Sequence, residues 1–198
     1  MKRIFRFRRL CIHPAFFITI FALFFADSSV YSLAFVFCAF FHELGHICAI
    51  YLLGLSVSKI TLLPFGVEIS ILGNLGYKKE LIIALCGPLF GFFLSGTLFL
   101  VCKFYPCALL YFSYICSLWL SLLNLLPLPT LDGSRALKSI FFLLFDYEKA
   151  LMLVRASELL SLILLSAFCA ISVIFSSYNL SLCAICIMLF FSVCRRQV

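Results

Sequence analysis

The chain has 198 residues, of which 65% are hydrophobic and only 12% charged, with a mean hydropathy of +1.22 and a net charge of +7. A water-soluble domain of this size carries far more charge, and a nucleic-acid surface needs its basic residues gathered on a solvated face, whereas these flank apolar runs. The runs are continuous in Leu, Phe and Ile without alternation, which excludes a transmembrane β-barrel and predicts an all-α polytopic membrane protein.

Six transmembrane helices are expected in one domain, at about 11–26, 31–53, 81–101, 107–126, 151–175 and 179–194, each near the roughly 20 residues needed to cross about 30 Å of hydrocarbon. Lys2, Arg3, Arg6, Arg8 and Arg9 precede the first apolar run. This could mark a secretory signal, but Phe24 and Phe25 before Ala26 make a poor cleavage site, so an uncleaved span is favoured. His13-Pro14 opens that span, where proline suits a first helical turn.

The second run contains His42-Glu43-Leu44-Gly45-His46. An HExxH spacing puts two imidazoles one turn apart on the same helix face, where they can chelate one zinc ion, and sets a carboxylate between them that can take a proton from water. In a membrane helix such polar groups are costly, about 2.5–3.5 kcal/mol for a central charge on insertion scales, so a partner that offsets the cost is expected. A polar cluster that merely joins helices by hydrogen bonds is the structural alternative.

After the second run, Lys59–Leu63 and Val67–Ile71 alternate on either side of Pro64-Phe65-Gly66, a hairpin signal too apolar for an ordinary loop. It is expected to lie against the helices or dip into the membrane as a short β-hairpin-like loop. Gly87-Pro88, Gly91 and Gly96 in the third run allow another helix to pack closely. The fourth run ends in Asn124, and Pro127, Pro129 and Gly133 break the helix around Asp132. A catalytic zinc takes three protein ligands, and Asp132 is the best candidate for the third, although an aspartate before glycine is commonly only a turn residue. Glu158, one turn after Arg155, is expected to form an interfacial ion pair. The eleven cysteines are scattered through apolar runs and read as small buried hydrophobes; the Cys183/Cys186 pair has no second pair nearby.

His42-Glu43-Leu44-Gly45-His46, followed by Asn124, Pro127 and Leu131-Asp132-Gly133, resembles the site-2 protease family of intramembrane metalloproteases. The branch typified by the stage IV sporulation protease, which processes a pro-sigma factor, has a similarly compact six-span core. The resemblance runs from about His13 to Arg135. It implies one zinc ion per chain held by His42, His46 and Asp132, with Glu43 as general base and then acid, and Asn124 in contact with substrate or a developing oxyanion. Gly66, Val67 and Glu68 fall in the family's membrane-associated hairpin, whose edge can pair with an unwound substrate strand, and His13 falls in its opening segment, where it is either an interfacial residue or a guard of substrate access. The implied partners are the lipid bilayer, a membrane-associated protein substrate and regulatory membrane proteins, with no nucleic acid.

The chain departs from the family at Gly87-Pro88-Leu89-Phe90-Gly91, where an asparagine often follows the Gly-Pro, and it stops at Val198, so that neither a CBS nor a PDZ domain is expected. A transporter should show paired repeats with broken helices, and none stands out. A catalytically inactive zinc-binding scaffold has no reason to retain Glu43 between two histidines.

With the N-terminus inside, every Lys and Arg except Lys103 falls on the cytoplasmic side, which predicts a multi-pass protein of a bacterial plasma membrane with both termini cytoplasmic. A reporter fused after Val198 or inserted at Lys78 should therefore read cytoplasmic, and one near Lys103 external. An external reading after Val198 breaks the six-span arrangement.

Overall fold

A computed structural model describes Leu10–Ile12, Pro14, Phe17, Ser29–Leu63, Gly66–Gly73, Leu75–Leu128 and Leu131–Phe175. In chain order the elements are β1 (Leu10–Ile12), α1 (Val30–Leu52), β2 (Val57–Leu63), β3 (Gly66–Ile71), α2 (Tyr77–Phe104), α3 (Ala108–Asn124), α4 (Asp132–Leu144) and α5 (Tyr147–Phe175). They fall into two compact units, Met1–Leu123 and Asn124–Val198.

In the first unit, α1 begins where the Ser29 hydroxyl accepts a hydrogen bond from the Tyr31 amide at 3.2 Å. It ends at Gly54, whose φ of +65° suits a residue without Cβ. The Leu55 amide there donates to the Ile50 carbonyl and the Gly54 amide to the Tyr51 carbonyl, a Schellman closure. Leu55 and Ile50 then join Ala49, Val57 and Ile83 in a small core, onto which Ile60, Ile69 and Ile71 of the hairpin also pack. The hairpin thus lies against the cytoplasm-directed ends predicted for α1 and α2.

β2 and β3 pair antiparallel, with Ile60 opposite Ile69 and Leu63 opposite Gly66, and the register shifts between Val57 and Lys59. The expected hairpin is present, but the sheet has a further strand: β1 pairs parallel to β2, with Leu10 opposite Ile60. Cys11 and Ile12, assigned above to the start of a membrane helix, are therefore extended, and the fold is mostly helical with a small three-stranded sheet. A three-residue strand leaves no alternation long enough to read in sequence, and its apolar residues merge with the run that follows.

The 28 residues of α2 reach about 42 Å at 1.5 Å per residue, enough to cross hydrocarbon with a tilt. Its buried residues, Ala84, Gly87, Pro88, Gly91, Leu94 and Ser95, make one stripe at helical spacing. Ser113, Ser117 and Ser121 make a matching stripe on α3. The Ser117 hydroxyl donates to the Gly91 carbonyl at 2.8 Å, and the Ser95 hydroxyl donates to the Tyr114 carbonyl at 2.9 Å. Small residues bring two backbones close enough for these bonds, and in lipid such packing replaces hydrophobic burial as the source of association.

Three helical segments among the described residues are long and apolar enough to cross a membrane, Val30–Leu52, Tyr77–Phe104 and Tyr147–Ala167, and Ala108–Asn124 is a shorter apolar helix. The expected sixth span, and the first beyond Ile12 apart from Pro14 and Phe17, lie outside the described residues. In the second unit, α4 and α5 pack together, and Ala136, Ser139, Ala150 and Val154 on them are buried. α4 was not expected as a helix, because its 13 residues are amphipathic and too short for the hydropathy of a span.

The glycines of α2 separate by environment. A Cβ at Gly91 would collide with the Ser121 hydroxyl and lie 3.3 Å from Ser121 Cβ, whereas nothing lies within 4 Å of one at Gly96. The close-packing role expected for Gly96 is therefore absent among the described residues. Gly91→Leu should lower stability by about 1–3 kcal/mol or more, as overpacking does, and Gly96→Leu should change it little. Unfolding midpoints in detergent check this, and equal midpoints for the two variants would refute the packing role of Gly91.

Candidate metal centre

α1 places His42 and His46 on its buried face, 3% and 6% exposed, with ring centroids 5.1 Å apart at 74°. That follows from the i, i+4 spacing on a helix whose other buried positions, Cys38, Gly45, Ala49 and Ile50, continue the same stripe. Glu43, the next residue after His42, is half-buried.

The seat for the imidazoles is made by two glycines facing each other across α1 and α2. At Gly45 a Cβ would lie 2.5 Å from the Cys86 carbonyl oxygen and 2.9 Å from Phe90 Cβ, so α1 rests directly on the α2 backbone. At Gly87 a Cβ would strike the Nε2–Cε1 edge of His46 and lie 2.9 Å from His42 Nε2. The Nε2 atoms of both rings thus converge over a backbone position where no side chain fits. His46 Nδ1 lies 2.8 Å from the Ile83 carbonyl oxygen. A carbonyl can only accept, so Nδ1 carries the proton and the lone pair is left on Nε2, the tautomer that a metal requires.

In the second unit, Asp132 is the first residue of α4 and 9% exposed. Gly133 follows it with its Cα pressed on the Leu125 and Leu126 carbonyls. Arg135 Nη1 lies 3.7 Å from Asp132 Oδ1. His42 and His46 of the first unit and Asp132 of the second are described residues that could each offer one ligand atom to a metal ion. Two imidazoles and a carboxylate are a donor set that suits zinc, and three protein ligands are the number a catalytic site uses.

The remaining residues singled out from sequence lie on other elements. Asn124 ends α3 and is half-buried. Gly66 and Val67 open β3, and Glu68 is exposed opposite Thr61. His13 lies outside the described residues. Sequence reasoning missed the Ile83 carbonyl and credited Gly87 with helix packing alone. A glycine beside proline in a helix that must approach an HExxH face was the available signal for the second.

No family model matches the chain. It is 34% identical over 116 residues to a zinc metalloprotease of Methanocaldococcus jannaschii, covering 55% of this chain and 33% of that protein. It is 31% identical over 113 residues to stage IV sporulation protein FB of Bacillus subtilis, covering 55% of this chain and 39% of that one. The matches thus span less than half the length of these curated relatives. Among solved structures, the site-2 protease from Methanocaldococcus jannaschii superposes with a TM-score of 0.64 over 94% of this chain and 89% of that one, at 24% identity. The chain is similar in sequence to these two proteins over about half its length and shares the fold of a site-2 protease. The sequence matches and the shared fold agree with the resemblance carried by HExxH and Leu131-Asp132-Gly133.

Gly87→Ala should displace the imidazoles and remove most of the bound zinc, while Gly96→Ala should keep the wild-type content. Elemental analysis of detergent-purified protein decides it. Full zinc in Gly87→Ala would show that the two Nε2 atoms do not depend on that seat.

Proposed function

We propose that this protein is an intramembrane zinc metalloprotease of the site-2 protease type, which hydrolyses a peptide bond within or next to a membrane-associated segment of another protein. The observation that carries the reading is the approach of the His42 and His46 Nε2 atoms to one backbone position at Gly87 in an apolar helical protein, with Glu43 beside the two histidines and Asp132 a further residue that could offer a ligand atom. The zinc-metalloprotease and site-2 protease relatives support it.

A zinc ion held by these residues supplies Lewis-acid activation of water and of the scissile carbonyl. Glu43 takes the proton of the attacking water and passes it to the leaving amine. Asn124 donates its side-chain amide to the developing oxyanion or to the substrate backbone. A helical substrate hides its carbonyls in its own hydrogen bonds and must unwind. In the order β1-β2-β3, β3 is an edge strand among the described residues, and Gly66, Val67 and Glu68 lie on the strand that would receive the unwound segment by β-augmentation. Both termini are cytoplasmic in this reading, so water enters from that side. The finer reading, a membrane-associated precursor as substrate in a sporulation-type process, rests on the likeness to stage IV sporulation protein FB.

The two carboxylates have different tasks, and paired zinc and cleavage measurements separate them. Co-expression with candidate single-span proteins should give a cleaved product that Glu43→Gln and Asp132→Asn each reduce by at least about 100-fold, the scale of a lost general base. Glu43→Gln should keep its zinc and accumulate uncleaved substrate. Asp132→Asn should bind zinc more weakly as well, because a neutral amide is a poorer donor and two histidines are left to hold the ion. Zinc and cleavage at wild-type level in Asp132→Asn would remove it from the ligand set.

A further inference from the structure

Asp132 stands on the first turn of α4, and that turn is fastened from two directions by contacts within its own unit. Gly133 is pressed on the Leu125 and Leu126 carbonyls so closely that no Cβ fits. Ser134, 3% exposed, donates its hydroxyl to Oε1 of Glu158 on α5 at 2.6 Å, and Glu158 is itself 9% exposed. The residue read from sequence as half of an interfacial ion pair is therefore a buried carboxylate bonded to a position two residues from a ligand. Its neighbour Arg155 is exposed. Glu158 is not among the described residues that could offer a ligand atom to the metal ion.

We infer that Glu158 is a positioning residue for the metal centre: through Ser134 it locks the first turn of α4, so that the Asp132 carboxylate is presented to the metal at a fixed angle. This rests on the ligand assignment proposed above. The physical reason is the rotational freedom of a helix end. Leu131, the residue before α4, makes no side-chain capping hydrogen bond to the first turn, whose amides have no partners within the helix. Gly133 blocks displacement toward the Leu125–Leu126 backbone, but a steric stop works in one direction only. The short Ser134–Glu158 bond pulls on the same turn from α5, and a hydrogen bond at 2.6 Å tolerates little rotation. Groups that orient metal ligands in this way characteristically change metal affinity by 10–100-fold when removed.

The test is a set of zinc affinities on purified full-length protein, measured by competition with a chelator alongside unfolding midpoints. Ser134→Ala and Glu158→Leu should each weaken zinc binding about 10-fold or more, whereas Glu158→Gln, which keeps an acceptor for the serine hydroxyl, should stay within about threefold of wild type. Arg155→Ala should leave the affinity unchanged. A double-mutant cycle gives the decisive readout: in the Asp132→Asn background, adding Ser134→Ala should cost nothing further, because the positioned group is already gone. Should Glu158→Leu fail to fold, Ser134→Ala and the cycle carry the test alone. Wild-type affinity in Ser134→Ala, or a full additive loss in the double variant, overturns the inference. A wild type without zinc, or an Asp132→Asn variant that binds it undiminished, would instead defeat the ligand assignment on which the inference stands.

Discussion

Two imidazoles buried between apolar helices must point the same nitrogen at the same place, and in this protein that depends on how closely the α2 backbone approaches α1. Gly45 brings the helices into backbone contact, and Gly87 leaves the space that the Nε2 edges of His42 and His46 occupy. Any side chain at either position would push the helices apart or fill the metal seat. The stripe of small residues does not stop there. Gly91 continues it toward Ser117 and Ser121 of α3, so the helix that seats the histidines is itself held by close contacts one turn further along the same face. In hydrocarbon, where apolar side chains gain nothing by leaving lipid for protein, such contacts and the hydrogen bonds they permit determine the spacing.

That spacing has a chemical consequence. An imidazole bound to zinc through Nε2 needs its Nδ1 proton engaged, and α2 provides the acceptor from its own backbone, at Ile83, one turn before Gly87. The same helix thus sets both the room for the ring and its tautomer. A polar side chain in that place would add another group to desolvate, whereas a main-chain carbonyl is present in any case.

What could be read from the residues follows from the range over which each interaction acts. HExxH is a pattern along one helix, so the placement of His42 and His46 on one buried helix face was legible from spacing. The hairpin was legible because alternation over β2 and β3 is local too. Asp132 needed the Leu131-Asp132-Gly133 resemblance, since a carboxylate before glycine in a broken helix has many ordinary uses. The Ile83 acceptor, the Ser134–Glu158 bond and strand β1 were not legible. Each is a pairing between distant parts of the chain, and in the first of them the functional atom belongs to the backbone, which carries no residue identity. Glu158 illustrates the difficulty: its nearest charged neighbour in sequence, Arg155, suggested an ion pair, but the helix turned it inward to a serine on α4.

The proposed ligands also differ in how they are fixed, and the difference follows from their secondary structure. His42 and His46 sit in the middle of α1, where every neighbouring amide and carbonyl is committed to the helix and the backbone has no freedom left to lose. Their geometry needs only side-chain restraint, which a glycine seat and one carbonyl provide. Asp132 begins a helix, where the amides of the first turn have no partners within the helix and its end can fray. A helix N-terminus favours a carboxylate through its dipole, and Arg135 at 3.7 Å adds a second attraction, but neither restrains direction. Direction has to come from contacts made by the residues after it. Gly133 and Ser134 are those residues, which is why a third ligand at a helix start requires a supporting pair that ligands in a helix middle can do without.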